Sequence, residues 1–158
     1  MGKELKTNAM RFLDKSKIGY TVQTYECDEF IDGIHTAQAL GQPLEETFKT
    51  LVAKGKTGSY YCFLLPVALE LDLKKAAKSV GEKSVELLHV KDITAVTGYV
   101  RGGCTPIGMK KQFMTVVHNT AETMQLFYIS GGRIGTQIQL SPAELVKSIR
   151  GKFEDIVM

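Results

Sequence analysis

Strand-type segments outnumber helical ones in this sequence, several neighbouring strands join through short turns, and one strand is apolar on both faces. Together these features predict a mixed α+β domain built around a curved sheet. At 158 residues the chain fits a single compact domain over 1–158, long enough to bury a true core.

The elements follow from local chemistry. Thr7 or Asn8 can cap a short helix through Lys15, with Ala9, Met10, Phe12 and Leu13 giving a broad apolar face. Gly19 breaks it, and Tyr20 to Tyr25 alternates as a half-buried strand does. Thr36 caps a further short helix ending at Leu40-Gly41, and Pro43 can open one more helical turn through Thr47. Phe48 to Ala53 and Ser59 to Val67 read as two strands joined by the turn Lys54-Gly55-Lys56-Thr57-Gly58. The run Tyr60-Tyr61-Cys62-Phe63-Leu64-Leu65 is too apolar for a half-exposed strand and is expected at the centre of the sheet.

Asp72 caps a helix through Val80, stopped by Gly81, with Lys74, Lys75 and Lys78 on a solvated face. Val85 to Val90 fits either a strand or a short helix. Asp92 is expected to cap a helical turn ending at Thr97-Gly98. Phe113 to His118 and Leu126 to Ser130 read as strands, the second closed by Gly131-Gly132. Thr136 to Leu140 alternates, with Gln137 and Gln139 on one face and Ile138 on the other. Ser141-Pro142-Ala143-Glu144 combines an N-cap, a proline at N1 and a carboxylate at N3, opening a last helix to about Ile149.

Composition excludes some classes of protein. Hydrophobic content of 44% with 23% charged residues is ordinary for a globular chain. No apolar run approaches the roughly 18 residues of a membrane helix, and Met1 to Lys6 carries no signal-peptide apolar stretch. Cys27, Cys62 and Cys104 are odd in number and widely spaced, which argues against a disulfide framework or zinc site and fits a cytoplasmic setting. No metal-ligand spacing occurs and no cofactor is expected. The net charge of +3 and pI near 8.7 are compatible with an anionic partner without requiring one.

The stretch Val100 to Lys111, Val-Arg-Gly-Gly-Cys-Thr-Pro-Ile-Gly-Met-Lys-Lys, is the part of the chain on which chemistry can be built. Gly102 and Gly103 can adopt angles a Cβ forbids and let a ligand approach the main chain. Pro106 stiffens the loop and extends Thr105. A stiff loop with exposed amides suits an oxyanion site, where donors must be aimed in advance. A Gly-Gly bulge followed by a proline-terminated turn explains the same residues structurally.

This loop contains Gly-x-x-x-Pro from Gly102 to Pro106. Upstream stand Ala39-Leu40-Gly41 and Phe48-Lys49-Thr50-Leu51-Val52; downstream come Ser130 to Ile138 (Ser-Gly-Gly-Arg-Ile-Gly-Thr-Gln-Ile) and Leu140-Ser141-Pro142. In that order and spacing the sequence resembles the YbaK/EbsC family of aminoacyl-tRNA deacylases, relatives of the editing domain inserted in bacterial prolyl-tRNA synthetases. The likeness covers residues 5 to 155. It implies a mixed, barrel-like sheet flanked by short helices, and hydrolysis of the ester between a wrong amino acid and tRNA. For the YbaK branch the substrate is cysteine mischarged onto proline tRNA; sister branches remove alanine or other small amino acids.

The resemblance places a functional lysine at Lys49, where a long stem and three donors can hold the phosphate or ribose end of a terminal adenosine. An ordinary strand-edge lysine is the plain alternative. Gly102 and Gly103 would offer amides to the substrate carbonyl, with Thr105 adding a hydroxyl beside Pro106. Thr50 neighbours the lysine, Tyr20 matches a position near the family's pocket, and Phe30 would supply an apolar wall; residues of these two types are more often core.

No nucleophile with its base is evident. Cys104 invites a cysteine-hydrolase reading, but spacing identifies no His–carboxylate partner, and an ordinary thiol is mostly protonated at neutral pH. His35, His89 and His118 are scattered. The resemblance implies a route without them: the substrate's own thiol attacks its carbonyl, closes a cyclic thiolactone and frees the tRNA. Tethering gives that step an intramolecular advantage.

The expected partners are therefore aminoacyl-tRNA, held by its acceptor end and terminal adenosine, and prolyl-tRNA synthetase as a candidate. The competing reading is a non-catalytic module that keeps the fold to bind tRNA or the synthetase, with steep salt dependence. A generic nucleotide-binding domain fits poorly, since neither a Walker sequence nor a strand–Gly-x-Gly-x-x-Gly–helix unit is present.

Overall fold

A computed structural model of the chain describes residues 6–25 and 33–158. Helix α1 covers Asn8–Lys15. Thr7 Oγ1 accepts from the Met10 amide at 3.2 Å and donates to the Gly131 carbonyl at 2.6 Å. One hydroxyl thus starts the helix and moors it to a distant loop. Strand β1 is Thr21–Thr24, and α2 is Gly33–Leu40, beginning earlier than Thr36. Gly41 follows with φ +70°, a left-handed stop. A 3₁₀ turn at Leu44–Glu46 leads into β2, Phe48–Gly55, and β3, Tyr60–Pro66.

Helix α3 is Leu73–Ser79; the Asp72 carboxylate accepts from the Lys74 and Lys75 amides at 2.9 and 3.0 Å. Val85–Leu87 resolves as strand β4. Helix α4 is Val90–Thr97, so Asp92 lies within its first turn and His89 holds the cap position; Gly98 ends it at φ +86°. Strand β5 is Met114–His118 and β6 is Phe127–Arg133. Gly131-Gly132 does not close β6; the pairing with β7, Thr136–Leu140, is instead bulged between Ser130 and Arg133. Helix α5 is Pro142–Ser148, with Ser141 accepting from the Glu144 amide at 3.2 Å. Strand β8, Lys152–Glu154, is not foreshadowed by the sequence. It is too short to show an alternation and exists because it pairs with β5.

The strands form two sheets rather than one closed barrel. An antiparallel sheet runs β1-β7-β6, and a mixed sheet runs β4-β2-β3-β5-β8, with β3–β5 and β5–β8 parallel. Among the described residues a bridge between Thr47 and Tyr128 connects them. As the sequence implies, β3 is central. Its Tyr61, Phe63 and Leu65 pack under α3 with Ala76 and Ala77. Leu64 faces the larger core with Phe48, Phe127, Ile138 and α1, and Cys62 enters a third cluster with Val52 and Phe113. Fully burying side chains of this size stabilises by about 1.5–3 kcal/mol each, which fixes β2 and β3 as the rigid floor of the site.

The loop after α4 has no regular structure but is heavily tied. Gly103 N–H donates to the Val100 carbonyl at 2.9 Å, Tyr99 Oη to the Ile107 carbonyl at 2.7 Å, and Lys110 N–H to the Thr97 carbonyl at 3.1 Å. Ile107 is fully buried in the main core. The expected stiffness therefore comes from these ties as much as from Pro106.

Candidate active site

Strand β4 accompanies β2 only at Ala53–Gly55, and the Leu88 amide takes the Val52 carbonyl at 2.9 Å. Beyond that point the outer edge of β2 opens on a cleft of about 650 Å³. Its floor is Phe48 to Val52, and one wall is the turn from Val67 to Glu70 after β3. Val90 and Ile93 of α4 form a second wall; Arg101, Gly102 and Cys104 of the central loop form a third, with Ser130 and Gln137 across from them.

Lys49 and Gly102, placed far apart in sequence, both line this cleft. Lys49 is half-buried. Burial lowers its pKa from the ordinary value, and the nearby Glu70 charge pulls the other way. Gly102 sits at φ +86°, an angle that favours glycine, and is exposed to the cleft. Thr50 lines the same space, and its Oγ1 is buried with no hydrogen-bond partner. Gln137 Oε1 is in the same condition. A buried polar atom left unmatched costs about 1–3 kcal/mol, and both of these oxygens belong to side chains that line the cleft.

Other expected site residues lie elsewhere. The Gly103 amide is already used in the turn to Val100, so of the glycine pair only Gly102 reaches the cleft. A Cβ at Gly103 would lie 2.7 Å from the Arg133 Cα, and this close approach is what the position requires. Thr105 is fully buried with an unpartnered Oγ1, and Pro106 is buried with its carbonyl accepting from Gln112 Nε2 at 3.0 Å; neither lines the cleft. Tyr20 packs against the main core and donates to Asp14 Oδ1 at 3.1 Å, outside the cleft. Phe30 lies outside the described residues.

Cys104 does line the cleft, yet burial pushes its thiol up to about 11. That disfavours the thiolate a nucleophile requires. His118 is buried and accepts from the Ile156 amide at 3.3 Å; none of the three histidines lines the cleft. Cys104→Ser is therefore expected to leave turnover nearly unchanged. Alkylation of the Cys104 peptide, read by mass spectrometry, is expected to be slow at pH 8 and to climb with pH towards about 11. A complete loss of turnover in the serine variant would restore the cysteine mechanism.

The sequence alone does not single out Gln137, Ser130, Glu70 or Arg101. The alternation of its strand sets Gln137 opposite Ile138, yet it is only 8% exposed. The missing signal is tertiary: the strand's polar face at Gln137 turns into the cleft rather than to open solvent, which alternation alone does not reveal. Among the described residues no cluster of His, Cys, Asp or Glu could hold a metal ion, and no helix is long and apolar enough to cross a membrane.

Solved structures share this architecture. A hypothetical protein superposes with TM-score 0.87 at 21% identity, over 96% of this chain and 99% of its own. A protein described as a candidate trans-editing enzyme for prolyl tRNA synthetase superposes with TM-score 0.84 at 23% identity, over 98% and 99%. At those identities the likeness defines the fold. The sequence goes further: residues 33–148 match the aminoacyl-tRNA editing domain, and the chain belongs to that family. It is also 41% identical over 152 residues to EbsC of Enterococcus faecalis, described as a candidate Cys-tRNA(Pro)/Cys-tRNA(Cys) deacylase, spanning 96% of this chain and 93% of that one.

Proposed function

We propose that residues 1–158 act as one trans-editing domain that deacylates mischarged tRNA in the cytoplasm, with cysteine on tRNA(Pro) as the substrate and prolyl-tRNA synthetase as a partner. The observation that carries this reading is the meeting of Lys49, Gly102, Thr50 and Gln137 in one cleft. An aminoacyl ester presents complementary groups: an α-ammonium that donates, a carbonyl oxygen that develops charge, and an anionic nucleotide tail.

In this mechanism the Lys49 ammonium holds the phosphate or ribose end of the terminal adenosine. Gln137 Oε1 and Thr50 Oγ1, turned out of their buried positions as substrate enters, accept from the α-ammonium, and the Gly102 amide donates to the carbonyl oxygen as it becomes an oxyanion. The substrate thiol attacks its own carbonyl carbon: an S–C bond forms, the ester C–O bond breaks, and the thiol proton ends on the ribose hydroxyl. The products are a cyclic thiolactone and free tRNA. The attacking group is delivered by the substrate, which gives the step its effective molarity and removes the need for a cysteine nucleophile in the protein.

The test is a deacylation panel of cysteine, alanine, serine and proline esters on one tRNA. Cysteine is expected to be released at least about 10²-fold faster than alanine or serine, since only its thiol gives the intramolecular path. Equal rates for cysteine and alanine would replace thiol assistance with a positioned water. No release from any ester would leave the non-catalytic module. Adding prolyl-tRNA synthetase to the cysteine reaction tests that partner through a change in rate at low enzyme concentration.

A further inference from the structure

A second groove, of about 780 Å³, lies at the other end of α4. Tyr60 and Phe113 form its floor, their rings 5.5 Å apart and tilted by 45°. Met114 is 50% exposed at its edge, and Lys111 is an exposed part of its rim. Lys54 Nζ stands 5.9 Å from the centroid of the Tyr60 ring, and Lys110 Nζ donates to the carbonyl of groove-lining Ala95 at 3.3 Å. Two acids lie nearby. Glu86 pairs opposite Lys54 across β2 and β4. Glu82 is buried in the hairpin, where Thr57 and Tyr61 donate to its carboxylate. The rim is thus predominantly cationic, with an aromatic floor.

This groove communicates with the cleft through two continuous pieces of chain. Helix α4 gives Ile93 to the cleft and Val96 to the groove, about 4.5 Å apart along its axis. The central loop gives Gly102 and Cys104 to the cleft and Lys111 and Gln112 to the groove. Gln112 Nε2 donates both to the Pro106 and to the Phe113 carbonyls at 3.0 Å, binding loop and groove together. Aromatic faces with lysines along a track are how proteins hold single-stranded nucleic acid, bases stacking while cations meet phosphates.

We infer that the groove formed by Tyr60, Phe113, Lys111 and Met114 is a second binding site, which takes the single-stranded 3′ segment of the tRNA just upstream of the aminoacylated nucleotide in the cleft. This rests on the deacylase reading above. The lysines neutralise the phosphates of that segment, and one base lies against the Tyr60 ring.

The experiment compares Cys-tRNA(Pro) with the cysteinyl ester of adenosine, which is too short to leave the cleft. Lys111→Glu and Met114→Glu change exposed positions, and Tyr60→Leu removes the aromatic face while keeping an apolar side chain. Each is expected to raise KM for Cys-tRNA(Pro) by about tenfold while turnover of the adenosine ester stays within about twofold. Lys111→Glu should also flatten the salt dependence of kcat/KM on tRNA, by about 0.7 in log–log slope for each phosphate that is no longer neutralised. If the wild-type protein cleaves both substrates and the three variants handle tRNA normally, the groove assignment is overturned and the deacylase reading survives. A KM rise for Lys111→Glu with an unaltered salt slope would mean that Lys111 meets no phosphate and would overturn the proposed nucleic-acid track. Equal losses on both substrates would also overturn it, and wild-type inactivity on both would remove the deacylase reading and this inference with it.

Discussion

Lys49→Ala is expected to lower single-turnover deacylation of Cys-tRNA(Pro) by about 10²- to 10³-fold, the scale on which removal of one aimed donor acts. The same change is expected not to lower the melting temperature. The second half follows from the sign of the pKa shift. Burial lowers the Lys49 pKa, so folding disfavours its charged form, and the Glu70 charge opposes that shift only in part. A lysine whose pKa falls on folding binds fewer protons in the native state, so its contribution to stability improves as pH rises through the folded value. At neutral pH the ammonium is held in the fold at a cost, and a neutral side chain removes that cost. Lys49→Met should behave the same way while keeping more of the apolar stem. A residue that damages rate while leaving or improving stability is the signature of a group kept for function. Unchanged turnover in Lys49→Ala would remove the lysine from the site.

How far the sequence reveals this site depends on the range of the forces involved. Caps and turns are local, so Thr7, Asp72, Ser141 and the stops at Gly41 and Gly98 can be read directly. The central position of β3 is also legible, because an unbroken apolar run needs cover on both faces. Strand β8 is not, since three residues with exposed ends carry no period and exist only through the partner strand. The division into two sheets is hidden for the same reason: the sheets meet at a bridge from Thr47 to Tyr128, across which local pattern says nothing.

The site divides along similar lines. Motif spacing marks Lys49, Thr50 and Gly102, whereas Gln137 and Glu70 reach the cleft only through the register of β6 with β7 and the turn after β3. Gly103 has a structural role that motif reading does not foresee. Two adjacent glycines look like two free amides, but one of them is required by packing. Its hydrogen closes a turn, and its bare Cα admits the Arg133 backbone.

That difference separates the two glycines experimentally. At Gly103 an added Cβ would sit 2.7 Å from the Arg133 Cα and 3.0 Å from its carbonyl carbon, and backbone cannot yield as a flexible side chain can. Gly103→Ala is therefore expected to destabilise by about 1–3 kcal/mol, as overpacking does. For a chain of this size that lowers the melting temperature by about 2–10 °C. At Gly102 the φ of +86° sets a conformational requirement, and the residue borders the cleft. Forcing a β-branched residue into that angle shifts the loop to relieve strain on the order of 1–2 kcal/mol, and the donor moves with it. Gly102→Val is thus expected to lower kcat for Cys-tRNA(Pro) by about 10²-fold or more while KM changes little, since the oxyanion contact exists only in the transition state. Thermal melts and steady-state kinetics on the two variants should give opposite profiles: stability lost at 103, chemistry lost at 102. Should Gly103→Ala melt like the wild type and lose its rate, the amide at 103 would return to the site, and the turn to Val100 would have to open when substrate binds.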